Sequence, residues 1–323
     1  MRFAFTDDQL AFRDAVRDLL AKECPPKTVR EAWTDAVDRT AWSALGEMGV
    51  LGLMASESVG GLGLGPVDLV LLLEESGYVA LPEPIVEHAC VAMPLLSTPG
   101  PMLDGSETVT TPFRHDAVVP FANRADRLLL ADAGSFHLVP VADATLRPVD
   151  SVDGARHLAR VEWDPTAASP IGGSDEAAVA FERGAFGAAA QLLGLARRII
   201  DMTVAYASER HQFGAPIGSF QAVKHHLADA RIALEFARPL VYRAAWSIAE
   251  ADPDPGVGVD VSMAKATASD AALLAGRQAL QCHGAIGYSF EYDLHLFMKR
   301  AWALAAAWGD ARWHRDRVGR AIL

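Results

Sequence analysis

The sequence has 323 residues, of which 51% are hydrophobic and 22% are charged, the balance of an ordinary globular protein. Acidic residues outnumber lysine and arginine by 41 to 29, which gives a formal net charge of −12. A chain this acidic is unsuited to nucleic acid or an anionic membrane as its main partner, because both would be repelled.

Features that indicate location are few. The three cysteines are widely spaced and form no C-x-x-C pair, so a reducing, cytoplasmic location is predicted. The first ten residues lack the apolar segment of a signal peptide. The longest aliphatic run, at residues 67–77, contains two glutamates, so no transmembrane helix is expected.

Residues 1–113 are predicted to form an N-terminal helical domain. Thr6 and Gln9 have the T-x-x-Q spacing of a capping box, and apolar residues at helical spacing follow them. A further helix is predicted around Trp42, and another over residues 67–77. A glycine-rich loop separates these two helices.

The rest of the chain changes character twice. Residues 114–173 contain short apolar runs separated by Gly, Asp and Asn, which predicts a reduced small β-domain. Residues 174–323 are predicted to form a C-terminal four-helix bundle, because the connections between long helical patterns are short. The fold class is therefore mainly α. The helices are expected over 185–209, 220–251, 261–283 and 292–322, with a loose linker at 251–260.

A polar corner, SERHQFGAPIGSFQAVKHHLAD, occupies residues 208–229 between two of these helices. Ser219 is predicted to be the N-cap of a helix that starts at Phe220. The free N–H groups of that helix start, together with the guanidinium of Arg210, would suit a phosphate or pyrophosphate. The alternative is a capped helix–helix corner whose arginine is solvated.

A glycine cluster at residues 280–293 ends the third bundle helix. Gly284 and Gly287 allow backbone N–H groups to approach a ligand closely, although a simple glycine C-cap would explain them too. No metal site is predicted, because the adjacent His225 and His226 point about 100° apart on a helix.

The corner and the glycine cluster together resemble the acyl-CoA dehydrogenase family. In that family an Arg-x-Gln-Phe-Gly-x-Pro-Ile block is followed by Phe-Gln, and a later helix ends in Gln-x-x-Gly-Gly-x-Gly. Residues 5–24 and 45–65 also resemble its N-terminal helical domain. The resemblance implies a helical domain, a small β-domain and a four-helix bundle, with FAD bound across a subunit interface.

The resemblance also assigns the residues that would hold FAD. Arg210 and the helix start would hold the pyrophosphate, and the later helix end would hold the adenosine half. Ala285 stands where the family usually has glycine. The implied FAD-binding residues are Arg210, Gln212, Phe213, Gln221, Gln281, Gly284 and Ala285.

The chain departs from the family at the catalytic base, a glutamate that removes the α-proton of the acyl group. Trp308 occupies one of the two usual glutamate positions. At the other, near the start of the first bundle helix, Glu182 is a candidate, although the matching position falls nearer Gly184. The alternative for Glu182 is a solvated acid in the first turn of that helix. Asp310 is expected to be a surface charge.

The middle region departs as well, because it lacks the Thr-Glu-Pro and Gly-Ser-Asp loop and the tryptophan strand that lie against the flavin ring. With both departures, the chain resembles the shortened subunits of bacterial α2β2 acyl-CoA dehydrogenases. Several of those enzymes act on steroid-derived CoA thioesters. The longer partner there carries the flavin wall and the base.

This resemblance predicts an enzyme subunit that forms a 2,3-enoyl-CoA from an acyl-CoA together with a longer homologous partner. Electrons would pass to an electron-transfer flavoprotein. Two alternatives stay open: a self-sufficient homo-oligomeric enzyme that uses Glu182 as its base, and a non-catalytic structural subunit.

Overall fold

The computed structural model describes residues 4–34, 38–113, 118–250 and 256–323. Two predicted features extend past these ranges: the start of the β-domain at 114–117 and the first half of the linker, 251–255, lie outside the described residues. The fold is mainly helical, with small sheets between an N-terminal and a C-terminal set of helices, as predicted.

Helix α1 begins where the sequence predicts. The backbone N–H of Thr6 donates to Oε1 of Gln9 at 2.9 Å, and the N–H of Gln9 donates to Oγ1 of Thr6 at 3.2 Å, which confirms the capping box. A π-helix over Val86–Ala92 follows the last of these helices. The α-helices are α1 (Asp7–Glu23), α2 (Pro26–Glu31), α3 (Thr40–Glu47) and α4 (Pro66–Tyr78).

His88, in the π-helix, joins the N-terminal helices to the first strand. Its Nε2 donates to the carbonyl of Met102 at 2.8 Å, and its Nδ1 accepts from the N–H of Val109 at 3.0 Å. The ring lies edge-on to Trp42 and has no solvent exposure. Burial lowers the pKa of His88 to about 4, so the imidazole is neutral and both nitrogens keep their partners.

The middle of the chain forms two small sheets with the strand orders β1-β3-β4-β7 and β2-β6-β5. Their apolar side chains share a separate core that includes Val119, Leu128 and Val161. The strands are β1 (Val109–Thr110), β2 (Val118–Val119), β3 (Arg127–Asp132), β4 (Ser135–Pro140), β5 (Thr145–Pro148), β6 (Ala159–Glu162) and β7 (Pro170–Gly172). Strand β1 precedes residue 114 and pairs in parallel with β3.

The C-terminal part contains α5 (Ser174–Glu209), α6 (Gln221–Ala249), α7 (Val257–His283), α8 (Leu294–Ala306) and α9 (Ala311–Ile322). A large hydrophobic core joins these helices to the N-terminal ones. Glycines bring helices into backbone contact: a Cβ on Gly194 of α5 would lie 1.9 Å from the carbonyl oxygen of Glu74 on α4. Within the described residues, no helix combines the length and the apolarity that a membrane span needs.

Three predicted helix bounds were wrong, and one of them is the start of α7, at Val257 rather than residue 261. Helix α5 begins at Ser174 rather than Ala185, because the Glu176 carboxylate accepts from the N–H of Gly173 at 2.9 Å and caps an earlier start. The helix predicted over 292–322 is instead two helices, α8 and α9. They separate where Trp308 and Gly309 adopt left-handed backbone angles, φ +56° and +90°, which end α8.

The predicted N-cap at Ser219 was also wrong. Ser219 lies in a short 3-10 turn, Ile217–Ser219, where its Oγ donates to the carbonyl of Pro216 at 2.7 Å. Phe220 takes the N-cap position of α6, and no side chain of the described residues caps that helix. The first N–H groups of α6 are therefore left without side-chain acceptors.

Candidate functional site

The corner between α5 and α6 presents an unneutralised arginine beside an uncapped helix start. Arg210 is the C-cap of α5, and its backbone donates to Tyr206 and accepts from Ile217. No carboxylate of the described residues pairs with its exposed guanidinium. A permanently charged guanidinium and free N–H groups at one corner form an arrangement that fits the anionic pyrophosphate of FAD.

The corner is built on a tight hairpin of β8 (His211–Gln212) and β9 (Ala215–Pro216). Both residues of its turn, Phe213 and Gly214, have positive φ, +50° and +80°. Such a turn favours Asn, Asp or Gly in the first of these positions, so phenylalanine is strained there. Phe213 is 96% exposed, and its ring meets only Phe220, edge-on at 6.2 Å, among the described residues.

The end of α7 supplies the second half of the predicted FAD site. Gln281 and Ala285 are exposed, and Gly284 ends the helix with φ +63° and ψ −142°, a conformation that side chains disfavour. The ring of His283, directly before Gly284, stacks on Tyr206 of α5 with centroids 4.2 Å apart. The two segments that sequence reasoning singled out therefore lie at the same end of the bundle.

The remaining predicted FAD residues lie on the same surface. Gln212 is exposed on β8, with its side-chain amide donating to the neighbouring carbonyl of His211 at 2.8 Å. Gln221 is exposed as the first residue of α6. Both amides are accessible to a ligand, and their role in FAD binding stays a prediction.

Trp308 and Gly184, at or near which the resemblance predicts the two usual base positions, are in contact with each other. Trp308 is only 4% exposed, and a Cβ built on Gly184 would lie 2.5 Å from three atoms of its indole ring. Phe113 and Phe181 meet the same indole edge-on, at 5.9 and 6.1 Å between centroids. Neither position carries an acid, and the indole fills the space between them.

Buried hydrogen bonds hold the loop that carries Trp308. Lys265 is fully buried in α7, and its ammonium donates to the carbonyls of Ala305 and Gly309 at 3.1 and 3.0 Å. His314 donates from Nε2 to the carbonyl of Trp308 at 2.9 Å. Burial lowers the pKa of Lys265 to about 7. Sequence reasoning missed this lysine, whose one sequence signal is a charge inside an alanine-rich helix.

Glu182 borders a cavity of about 720 Å³ that Trp308, Trp313 and Phe181 also line. Its carboxylate is held by Arg317 through two hydrogen bonds, one of them 3.0 Å from Nη1 to Oε2. It lies in the interior of α5 rather than in its first turn, so the expectation of a solvated first-turn acid was wrong. To remove a proton, Glu182 would have to release Arg317.

Asp310 has a structural explanation. Asp310 is the N-cap of α9 and accepts from the N–H of Trp313 at 2.7 Å. Among the described residues, no group of three or more His, Cys, Asp or Glu side chains is arranged to hold a metal ion.

Family models and known proteins match most of the chain. The model of the acyl-CoA dehydrogenase N-terminal domain matches residues 6–100, and that of the C-terminal domain matches residues 172–323. Acyl-CoA dehydrogenase IpdE2 of Mycobacterium tuberculosis is 32% identical over 308 residues, which cover 91% of this chain and 91% of that protein.

Two solved structures share the fold. A chain in the ChsE4-ChsE5 complex from Mycobacterium tuberculosis is 25% identical, with a TM-score of 0.90 over 100% of this chain and 99% of that one. Butyryl-CoA dehydrogenase from Megasphaera elsdenii is 22% identical, with a TM-score of 0.85 over 100% of both chains.

Proposed function

Because this chain belongs to the acyl-CoA dehydrogenase family, whose members oxidise acyl-CoA with FAD, we propose that it is one half of a two-chain enzyme. It contributes the ADP-binding part of an FAD site, and a longer homologous subunit supplies the flavin wall and the base. The ChsE4-ChsE5 complex, a heteromeric relative of the same fold, supports this arrangement.

The observation that carries the proposal is the contact between Trp308 and Gly184. A base must present a carboxylate beside the α-carbon of the substrate, and in this chain an indole fills the space between the two positions where the resemblance expects that carboxylate. The remaining acid at the cavity, Glu182, is paired with Arg317. The chain therefore keeps the residues that fit the anionic end of FAD while its usual base positions are filled.

The chemistry divides accordingly. The chemistry that FAD would supply when bound is acceptance of a hydride from the β-carbon of the acyl group. In this chain, Arg210 and the first N–H groups of α6 would offset the charge of the pyrophosphate, and Gln281 and Gly284 would accommodate the adenosine half. We propose that the α-proton is taken by the partner, that the substrate is a steroid-derived acyl-CoA, and that an electron-transfer flavoprotein in the cytoplasm receives the electrons.

Co-production with a longer homologue encoded nearby tests the proposal. The pair should purify as a yellow α2β2 complex with two FAD per four chains, whereas this chain alone should be colourless. Arg210→Ala should lower the flavin content of the complex. Arg320→Ala, which removes an exposed arginine paired with Asp316 at the far end of the chain, is the matched control. A yellow, active homo-oligomer of this chain alone would refute the partner requirement.

The self-sufficient alternative is favoured by one observation, the position of Glu182 at the cavity. If it holds, Glu182→Gln in a homo-oligomer abolishes turnover and leaves FAD bound. The structural-subunit alternative predicts that Arg210→Ala leaves the flavin content of the complex unchanged.

A further inference from the structure

Three rings in mutual contact lie next to the predicted FAD-binding segments, where the ends of α5 and α7 meet the segment before α8. This aromatic cluster consists of Tyr206, His283 and Tyr292. His283 is at its centre, 4.2 Å from Tyr206 with the ring planes 20° apart and 5.0 Å from Tyr292. The two tyrosine rings meet edge-on at 5.9 Å. His283 is buried, and both tyrosines are half-buried.

The cluster is connected directly to both halves of the FAD site. The carbonyl of Tyr206 accepts the N–H of Arg210 at 2.9 Å, so Tyr206 lies one helical turn before that arginine. His283 immediately precedes Gly284 and follows Gln281 by two residues. A shift in the stack would therefore move both segments relative to each other.

The position of the His283 ring is fixed, although not all of its polar atoms are satisfied. Its Nδ1 donates to the carbonyl of Ala279 at 2.8 Å. Its Nε2 is buried and has no hydrogen-bond partner among the described residues. Because an unpartnered buried nitrogen destabilises a fold, an aliphatic residue would serve better if the position only had to be filled. The imidazole ring instead allows a stacking contact with Tyr206, which an aliphatic side chain cannot make.

We propose that His283, stacked on Tyr206 and in tilted contact with Tyr292, is a positioning residue that sets the separation between Arg210 and the Gln281–Gly284 segment to match the ADP end of FAD. This inference rests on the proposed function. An aromatic stack resists sliding better than an aliphatic contact, because its attraction depends on the offset of the rings.

The test compares Tyr206→Leu with Tyr206→Phe in the FAD-loaded complex. Leucine removes the stack, whereas phenylalanine keeps the ring and removes only the hydroxyl. Tyr206→Leu should raise the Kd for FAD, measured by flavin fluorescence, by roughly three- to tenfold, the equivalent of one aromatic pair. Tyr206→Phe should leave it within twofold of wild type, about 0.4 kcal/mol. If Tyr206→Leu does not fold, Tyr292→Leu replaces it with the same expected direction.

The thermal midpoint of each variant, measured without FAD, separates positioning from stability. If Tyr206→Leu lowers the midpoint but leaves the Kd for FAD unchanged, the cluster is only structural and the positioning role is overturned. If Arg210→Ala weakens FAD binding and Tyr206→Leu does not, the proposed function survives and this inference fails. If Arg210→Ala has no effect either, the half-site itself is wrong and both fail.

Discussion

Phe213 is strained and almost wholly exposed, which makes its replacement informative about function. Its φ of +50° belongs to the left-handed region, which costs a residue with a side chain about 1–2 kcal/mol. Asparagine tolerates this conformation, so Phe213→Asn should recover about 1 kcal/mol of that strain. The same substitution loses the exposed edge-on contact with Phe220, which should lower the free energy of unfolding by about 0.5 kcal/mol.

Phe213→Ala is the matched control, because it removes the same ring without relieving the backbone strain. The asparagine variant should therefore exceed the alanine variant by about 1 kcal/mol in the free energy of unfolding of the flavin-free protein. Urea unfolding measures this difference. Both variants should carry less FAD in the complex, since a ring that contacts little within its own chain is expected to contact the cofactor or the partner.

Two results would refute this reasoning. Equal stability of the asparagine and alanine variants would show that the turn is not strained in solution. A wild-type flavin content in both variants would show that the exposed ring has no part in the FAD site.

Two further predictions concern stability. Gly184→Ala should lower the free energy of unfolding by about 1–3 kcal/mol, because its Cβ would lie 2.5 Å from the Trp308 indole. The control is Gly276→Ala, whose nearest neighbour is Met298 Cγ at 3.6 Å, and which should be neutral or stabilising. Equal effects of the two substitutions in urea titrations would contradict the packing argument. Burial lowers the pKa of His88 to about 4, so the unfolded chain binds a proton before the folded one as pH falls, and stability should decrease by up to about 3 kcal/mol between pH 6.5 and pH 4. His88→Gln should flatten that part of the pH profile of unfolding, and an unchanged slope would assign the acid sensitivity to other groups.

Much of this protein was determined by local sequence signals. The capping box at Thr6 fixed the start of α1, because the two hydrogen bonds join residues three apart. The mainly helical class followed from the apolar spacing, and the family from the Arg210 and Gly284 segments. The assignment of those segments to FAD stays a prediction, which the uncapped start of α6 and the unpaired Arg210 support.

Other features depended on contacts between residues far apart in the sequence, which no local pattern reveals. The break between α8 and α9 was missed because the left-handed turn at Trp308 is held by Lys265, which lies 44 residues before Gly309 in the sequence, as well as by His314 in the helix that follows. The N-cap prediction at Ser219 failed for a local reason instead, because the 3-10 turn directs its hydroxyl to Pro216, three residues away. The sequence alone shows that Trp308 stands where the resemblance expects a catalytic glutamate. Only the packed fold brought Trp308 against Gly184, because the turn after α8 must lie against α5 before the missing side chain at Gly184 can make room for the indole.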